Sequence, residues 1–306
     1  MSLRDRLRAG SFAVTAEISP PRGASTDPVT ATAALLRDWV DAVNVTDNQG
    51  SNVRLASWAG SLAALQAGLE PVMQMTCRDR NRIALQSDLL GASALGIRNI
   101  LVMTGDHPKF GDHPEAKPVF DLDSVQLLWT LRHMRDQGAV LTGRALKPPP
   151  DCFLGAVENP SAPPAGFRAE RLGKKVAAGA QFVQTQFVFD VAAFAQWMTQ
   201  VRDLGLHEQC YILPGVGADG GCEVYPERRC VWVEAFERAA SQGRAADLRL
   251  LHLPIDHRRW GESSWLNYWQ GRDEDLWARE AGGTGGAGDT GGDRHVPHHQ
   301  PALGGS

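Results

Sequence analysis

Apolar residues along the chain fall into two kinds of run that alternate. The first kind is short, continuous and rich in β-branched residues: FAVTAEIS from Phe12, AVNVTD from Ala42, PVMQMTC from Pro71, NILVMTGD from Asn99, FLGAVEN from Phe153, FVQTQFVFD from Phe182 and YILPGVG from Tyr211. Runs of this length without polar alternation read as strands buried on both faces. The second kind is longer, with apolar residues three and four apart, as in TDPVTATAALLRDWV, VRLASWAGSLAALQAG, RIALQSDLLGASALG, DSVQLLWTLRHMRDQG and VAAFAQWMTQVRDLG. That spacing lays one apolar stripe along a helix. Strand starts recur roughly every 30 residues, the size of one βα unit, with a wider gap after the Asn99 run.

Strict alternation of strand and helix implies a parallel sheet wrapped by helices, either a closed (β/α)8 barrel or an open doubly wound sheet. The first turn decides between them. An open dinucleotide-binding sheet carries G-x-G-x-x-G there, whereas this chain reads EISPPRGAST, proline-rich and without the glycine spacing. The expected fold is therefore α/β, a (β/α)8 TIM barrel, with LRLLHLP ending at Pro254 as the eighth strand and the last one or two βα units divergent or incomplete. The expected division is a barrel over residues 1–280 and a disordered tail over 281–306, AGGTGGAGDTGGDRHVPHHQPALGGS, whose glycine content cannot support a packed core.

Composition narrows the classes of partner. The 306 residues are 43% apolar and 22% charged, with a formal net charge of −4 and both signs interspersed. No nucleic-acid groove and no anionic membrane partner is expected from such a surface. The five cysteines are an odd number without a C-x-x-C pair, which argues against a disulfide framework and against a zinc knuckle. The opening MSLRDRLRAGSF is too polar for a signal peptide, and no window approaches about 18 consecutive apolar residues, so a cytoplasmic location is expected.

In a barrel the chemistry sits where strands end, because the βα loops converge there. Those ends carry Glu17, Thr46 with Asp47 and Asn48, Gln74 with Thr76, Asp106, Glu158 with Asn159, and Gln186. Each has a plain structural explanation: Asp47 or Asp106 as a helix cap, Thr46 as a good strand residue, Gln186 as a backbone partner. Their recurrence at successive strand ends points to a site. Two carboxyls in one pocket, Glu17 and Asp106, push their pKa values apart and let one stay protonated as a general acid. The loop DHPKFGDHPEAKP is rich in metal-ligand residue types, but it lacks a His pair at i, i+4 and its prolines exclude a helix that would supply one. Its aromatic neighbours Phe110 and Phe120 suit the flat face of a ring cofactor.

Together AEISPPRG, VNVTDNQGSNVRLAS, MQMTCRDRNR, LGIRNILVMTGDHP, FGDHPEAKPVFDLDSVQLL, GAVENPSAPP, KKVAAGAQFVQTQFVFD and ILPGVG resemble the methylenetetrahydrofolate reductase family, in the family's order over about residues 10–217. The resemblance implies a (β/α)8 barrel holding FAD at the carboxyl ends of its strands, with NADH, NADPH or an electron-transfer partner as donor and a folate as substrate. It also implies Glu17 as the general acid that helps open the folate ring, Asp106 between flavin and folate, and Gln186 on the pterin. For FAD it implies Thr46, Gln74, Thr76, Asp106, Phe120, Asp123, Ala156, Glu158, Asn159 and Lys175. Gln74 and Asn159 stand where relatives often carry histidine. A homo-oligomer is compatible with this reading.

Past Gly217 the resemblance fades, and residues 218–280 are atypical. Two readings stand side by side: a shifted reading frame, and a divergent terminus that still folds as the helix PERRCVWVEAFERAASQG and the strand LRLLHLP. The second case retains the barrel. The alternative function is a catalytically impaired or flavin-poor folate-binding barrel or subunit, because of the divergent C-terminus.

Overall fold

A computed structural model of the chain describes residues 1–215 and the backbone of 250–254. Eight parallel strands close into a barrel in sequence order: β1 (Ala13–Ile18), β2 (Ala42–Val45), β3 (Pro71–Thr76), β4 (Asn99–Met103), β5 (Phe153–Glu158), β6 (Phe182–Phe187), β7 (Tyr211–Gly215) and β8 (Leu250–Pro254). The expected strand runs all form, and the helices between them are α2 (Asp27–Leu36), α3 (Ser57–Gln66), α4 (Arg82–Ala94), α5 (Ser124–Gln137), α6 (Arg168–Ala178) and α7 (Val191–Asp203). Closure is made by β8, whose Leu250 to Pro254 pair with Ala13 to Glu17 of β1, and by the Gly215 and His252 pairing to β7. The last strand is thus in place, and the helix expected ahead of it lies outside the described residues.

Two helices are not announced by the apolar pattern. The short α1 (Leu3–Arg8) is LRDRLR, mostly charged, and α6 carries Arg168 and Lys175 at buried positions where a stripe would need apolar residues. Leu3 and Leu7 of α1 plug the amino-terminal end of the barrel, joining Ala13, Ala42, Val72, Leu101, Phe153, Phe182 and Leu213 in its interior. Glu70 fastens this plug, accepting from the Leu3 N–H at 2.6 Å and from Asn99 Nδ2 at 2.8 Å. Inside, the Phe182 ring stacks on Phe153 at 5.0 Å between centroids and lies directly over Gly155, where a Cβ would sit 2.2 Å from the ring. Only glycine admits that contact.

The outward-facing residues of β3 to β6, among them Met73, Met75, Ile100, Val102, Leu154, Ala156 and Val183, pack against the helices in a second apolar layer. Helix starts are fixed by side chains that satisfy free N–H groups: Asn81 accepts from Ile83 and Ala84 at the head of α4, and Asp190 accepts from Ala193 at the head of α7. Among the described residues no helix is long and apolar enough to cross a membrane.

Candidate functional site at the carboxyl ends of the strands

Because side chains alternate along a strand, the residues that share the inward face with Ala13, Ala42 and Val72 are Glu17, Thr46 and Gln74, each nearer the carboxyl end. Gln74 Nε2 donates to Glu17 Oε2 at 3.0 Å, so β1 and β3 present one joined polar pair across β2. Thr46, just past β2, is buried, and its Oγ1 has no hydrogen-bond partner among the described residues. A buried hydroxyl left in this way awaits a ligand group or water.

Asp47 is not a helix cap. Its buried carboxylate accepts from the Thr76 N–H at 2.8 Å and the Thr76 hydroxyl at 2.9 Å, and forms an ion pair with Arg80. The hydroxyl of Thr76 is therefore committed to holding β2 to β3. Arg80 in turn reaches Asp88 of α4 at 3.0 Å.

Asp106 lies half-buried beyond β4 on the loop opened by Gly105, whose φ of +89° is a left-handed conformation that side chains rarely adopt. Burial pushes the Asp106 carboxyl above its ordinary value, and the nearby positive charge of Arg78 works against that rise. Further along, the loop's side chains go to local structure. His107 Nδ1 accepts from the Lys109 N–H at 3.1 Å, and Asp112 Oδ2 accepts from the Val53 N–H at 3.0 Å. Phe120, at φ +39°, packs against the outer apolar layer with His107 6.4 Å away between ring centroids. Asp123 caps α5, accepting from the Gln126 N–H at 2.7 Å while Gln126 Oε1 accepts from the Asp123 N–H at 3.0 Å.

After β5 the chain turns the expected contacts away from the mouth. Ala156 is buried in the layer between strand and helices. Glu158 faces α6, where Lys175 Nζ meets its Oε2 at 2.7 Å and also donates to the Val157 carbonyl, with Arg168 3.9 Å from the other oxygen. Burial lowers the Lys175 pKa, opposed by the charge and hydrogen bond of Glu158. Asn159 is half-buried and its Oδ1 accepts from the Ser161 N–H at 3.1 Å. Gln186, at a register shift in β6 between Gln184 and Phe187, is exposed beside the edge-to-face pair Phe187 and Phe189.

The structure thus brings Glu17 and Gln74 together, and places Thr46 on the same inward face. It gives Thr76, Asp123, Glu158 and Lys175 structural partners. A flavin ring fits the first set, which offers polar groups at its edge and an unsatisfied hydroxyl. The FAD contacts expected at Glu158 and Lys175 fit less well, because these two side chains are already paired with each other. Sequence reasoning did not single out Ser51, Arg78 or Arg80. The two arginines have one signal, the charged string CRDR directly after an apolar strand of a parallel sheet; Ser51 has none.

A family model described as methylenetetrahydrofolate reductase matches residues 2–217, and a second, described as methylene-tetrahydrofolate reductase C terminal, matches residues 213–258. The second match and β8 run in the present reading frame, which argues against a shifted frame before residue 258 and carries the likeness beyond Gly217. Curated relatives include a probable methylenetetrahydrofolate reductase (NADPH) of Caenorhabditis elegans, 26% identical over 57% of this chain and 25% of its own length. Methylenetetrahydrofolate reductase 2 of Saccharomyces cerevisiae is 28% identical over 57% of this chain and 28% of its own length. The matched segment is therefore about a quarter of such relatives. Among solved structures, a Clostridium thermocellum protein described as binding two copies of 5-methyl-5,6,7,8-tetrahydrofolic acid superposes with a TM-score of 0.55 at 10% identity, covering 87% of this chain and 96% of its own. That likeness supports the barrel fold. With more than two thirds of its length under a single family model, over a closed parallel barrel, the chain belongs to the methylenetetrahydrofolate reductase family.

Proposed function

We propose that the chain reduces methylenetetrahydrofolate to methyltetrahydrofolate, feeding one-carbon and methionine metabolism in the cytoplasm, with NADH or NADPH as the source of electrons. The observation that carries this reading is the Glu17 carboxyl, held by Gln74 at 3.0 Å on the inward face of the barrel mouth, on a scaffold of this family. A folate ligand is also in keeping with the methyltetrahydrofolate named for the Clostridium thermocellum barrel.

The chemistry needs the five-membered ring of the substrate to open. Glu17 delivers a proton to the departing amine nitrogen, the other ring nitrogen forms a carbon–nitrogen double bond to the methylene carbon, and a hydride added to that carbon completes the methyl group. Gln74 orients the Glu17 carboxyl through its amide. Asp106, once ionised, offers negative charge to the cationic iminium, and Gln186 at the end of β6 would bond the pterin. FAD, if bound, would be held by residues such as Thr46, Gln74, Asp106 and Phe120 and would supply a two-electron hydride carrier. Glu158 and Lys175, also expected as FAD contacts, are paired with each other in this fold.

The test is the absorbance spectrum of the purified protein followed by anaerobic titration with NADH or NADPH and then methylenetetrahydrofolate. Flavin bands that bleach with donor and return with folate support the full reading. Donor oxidation coupled to folate without flavin bands retains the reductase and removes FAD. Failure of folate to accept electrons in either case refutes the proposal. Glu17→Gln is expected to lower folate reduction by about 10²–10⁴-fold, while the donor half of the reaction is spared; equal loss in both halves would remove Glu17 from the role of acid.

A further inference from the structure

Arg78 is among the largest fully buried side chains, 2% exposed, one residue past the Cys77 that follows β3. A guanidinium without water must meet its charge and its N–H donors with protein groups. Nε and one terminal nitrogen grip the Asp79 carboxylate at 2.7 and 2.8 Å. The same terminal nitrogen donates to the Asn48 carbonyl at 3.1 Å. The other donates to Ser51 Oγ at 3.0 Å and to the main-chain carbonyl of Asp106 at 3.4 Å. Ser51 Oγ itself donates to that Asp106 carbonyl at 2.9 Å.

Three βα loops therefore meet on one side chain. Their backbones are held in costly conformations. Asn48 and Ser51 have φ of 46° and 61°, and such non-glycine residues persist where surroundings over-determine them. Gly111 lies so close that a Cβ would stand 1.9 Å from the Ser51 carbonyl oxygen, and a Cβ on Gly105 would stand 3.0 Å from Thr76 Cβ and 3.3 Å from Arg78 Cβ. The Asp106 loop has one seat, and Arg78 forms its floor.

We propose that Arg78 is the positioning residue for Asp106, clamping the loops after β2, β3 and β4 and fixing the place of its carboxylate. The role of Asp106 at the mouth rests on the function proposed above; the clamp does not. Among the described residues, Arg78 is the charged group acting on the Asp106 carboxyl. The loop after β2 presents the neutral Ser51, and the acid on the loop after β3, Asp79, is engaged by Arg78. Asp79 is accordingly held below the usual carboxylate range: burial works to raise it, and the Arg78 hydrogen bonds and charge, aided by Asn48 and Arg80, outweigh burial.

The experiment is carboxyl ¹³C NMR titration of Asp106, assigned by its loss in Asp106→Asn, in the wild-type chain, Arg78→Gln and Arg78→Lys. Arg78→Gln is expected to move the Asp106 midpoint up by about one pH unit, and Arg78→Lys, which keeps charge but loses the fork, by less. Folate reduction then supplies a cycle: Arg78→Lys lowers kcat/KM by about tenfold in the wild-type background and has little further effect on Asp106→Asn. An unmoved midpoint in a folded Arg78→Gln overturns the proposal, as does additivity of the two substitutions. If Arg78→Gln does not fold, Arg78→Lys decides, and wild-type midpoint with wild-type kcat/KM overturns it. A wild-type chain with no folate reduction but a midpoint that moves in the variants refutes the function and leaves the clamp standing.

Discussion

Lys175→Met separates two accounts of the same lysine, as an FAD contact and as a structural pin between β5 and α6. The side chains of Lys175 and Glu158 are 4% and 1% exposed and meet at 2.7 Å. Removing the cation strands a buried carboxylate, and breaking such a pair costs about 3–5 kcal/mol. Arg168, 3.9 Å from the second oxygen, offsets part of this, which places the expected loss near the lower bound. For a domain of this size about 3 kcal/mol corresponds to a fall in Tm of about 6–12 °C. Thermal unfolding followed by circular dichroism reads this directly. The paired variant Glu158→Gln with Lys175→Met removes both charges and is expected to recover most of the loss. A Tm for Lys175→Met within about 1 °C of wild type would refute the pin, and loss of bound flavin at unchanged apoprotein stability would return the lysine to the cofactor.

Gly155→Ala drives a methyl into the Phe182 ring, from 2.2 Å away, inside a filled barrel; a destabilisation of about 1–3 kcal/mol is expected by denaturant unfolding, relieved in part by Phe182→Leu, and an unchanged midpoint would contradict the packing. Arg82 holds Asp121 down at about 2 through side-chain and backbone hydrogen bonds. Because the folded pKa lies below the ordinary value of about 3.9, this contribution is complete above that pH and is lost as pH falls toward 2. The Tm difference between wild type and Arg82→Ala should accordingly shrink over that window, and a difference that is constant with pH would refute the assignment. Burial pushes the thiols of Cys77 and Cys210 up to about 12 and that of Cys152 to about 11. In a variant with Cys222 and Cys230 replaced by serine, an aromatic disulfide reagent at pH 8 should therefore label none of the three in the folded protein and all of them after denaturation; rapid native labelling would show a thiol that is not sealed.

Much of the architecture is readable from local pattern because a parallel barrel repeats one unit. Buried strands such as NILVM and VMQMT are continuous apolar runs, the helices between them carry one stripe each, and the proline-rich turn after β1 excludes the open alternative. Candidate site residues are readable for a related reason: Glu17, Gln74 and Asp106 are polar groups at the ends of apolar strands, where the fold gathers chemistry. Neither α1 nor α6 shows that pattern, since one buries only two leucines and the other spends buried positions on Arg168 and Lys175.

The order of strands and helices and the set of polar strand ends were thus written in the chain, because each depends on neighbours within a few residues. Which polar groups meet was decided only by closure of the barrel. Asp47 turned to Thr76 and Arg80, Lys175 to Glu158, and Arg78 to carbonyls and a hydroxyl contributed by loops 27 to 30 residues away. No local periodicity encodes these partners. Burial makes each of them obligatory, since a charge removed from water must be met by whatever the tertiary fold brings alongside it.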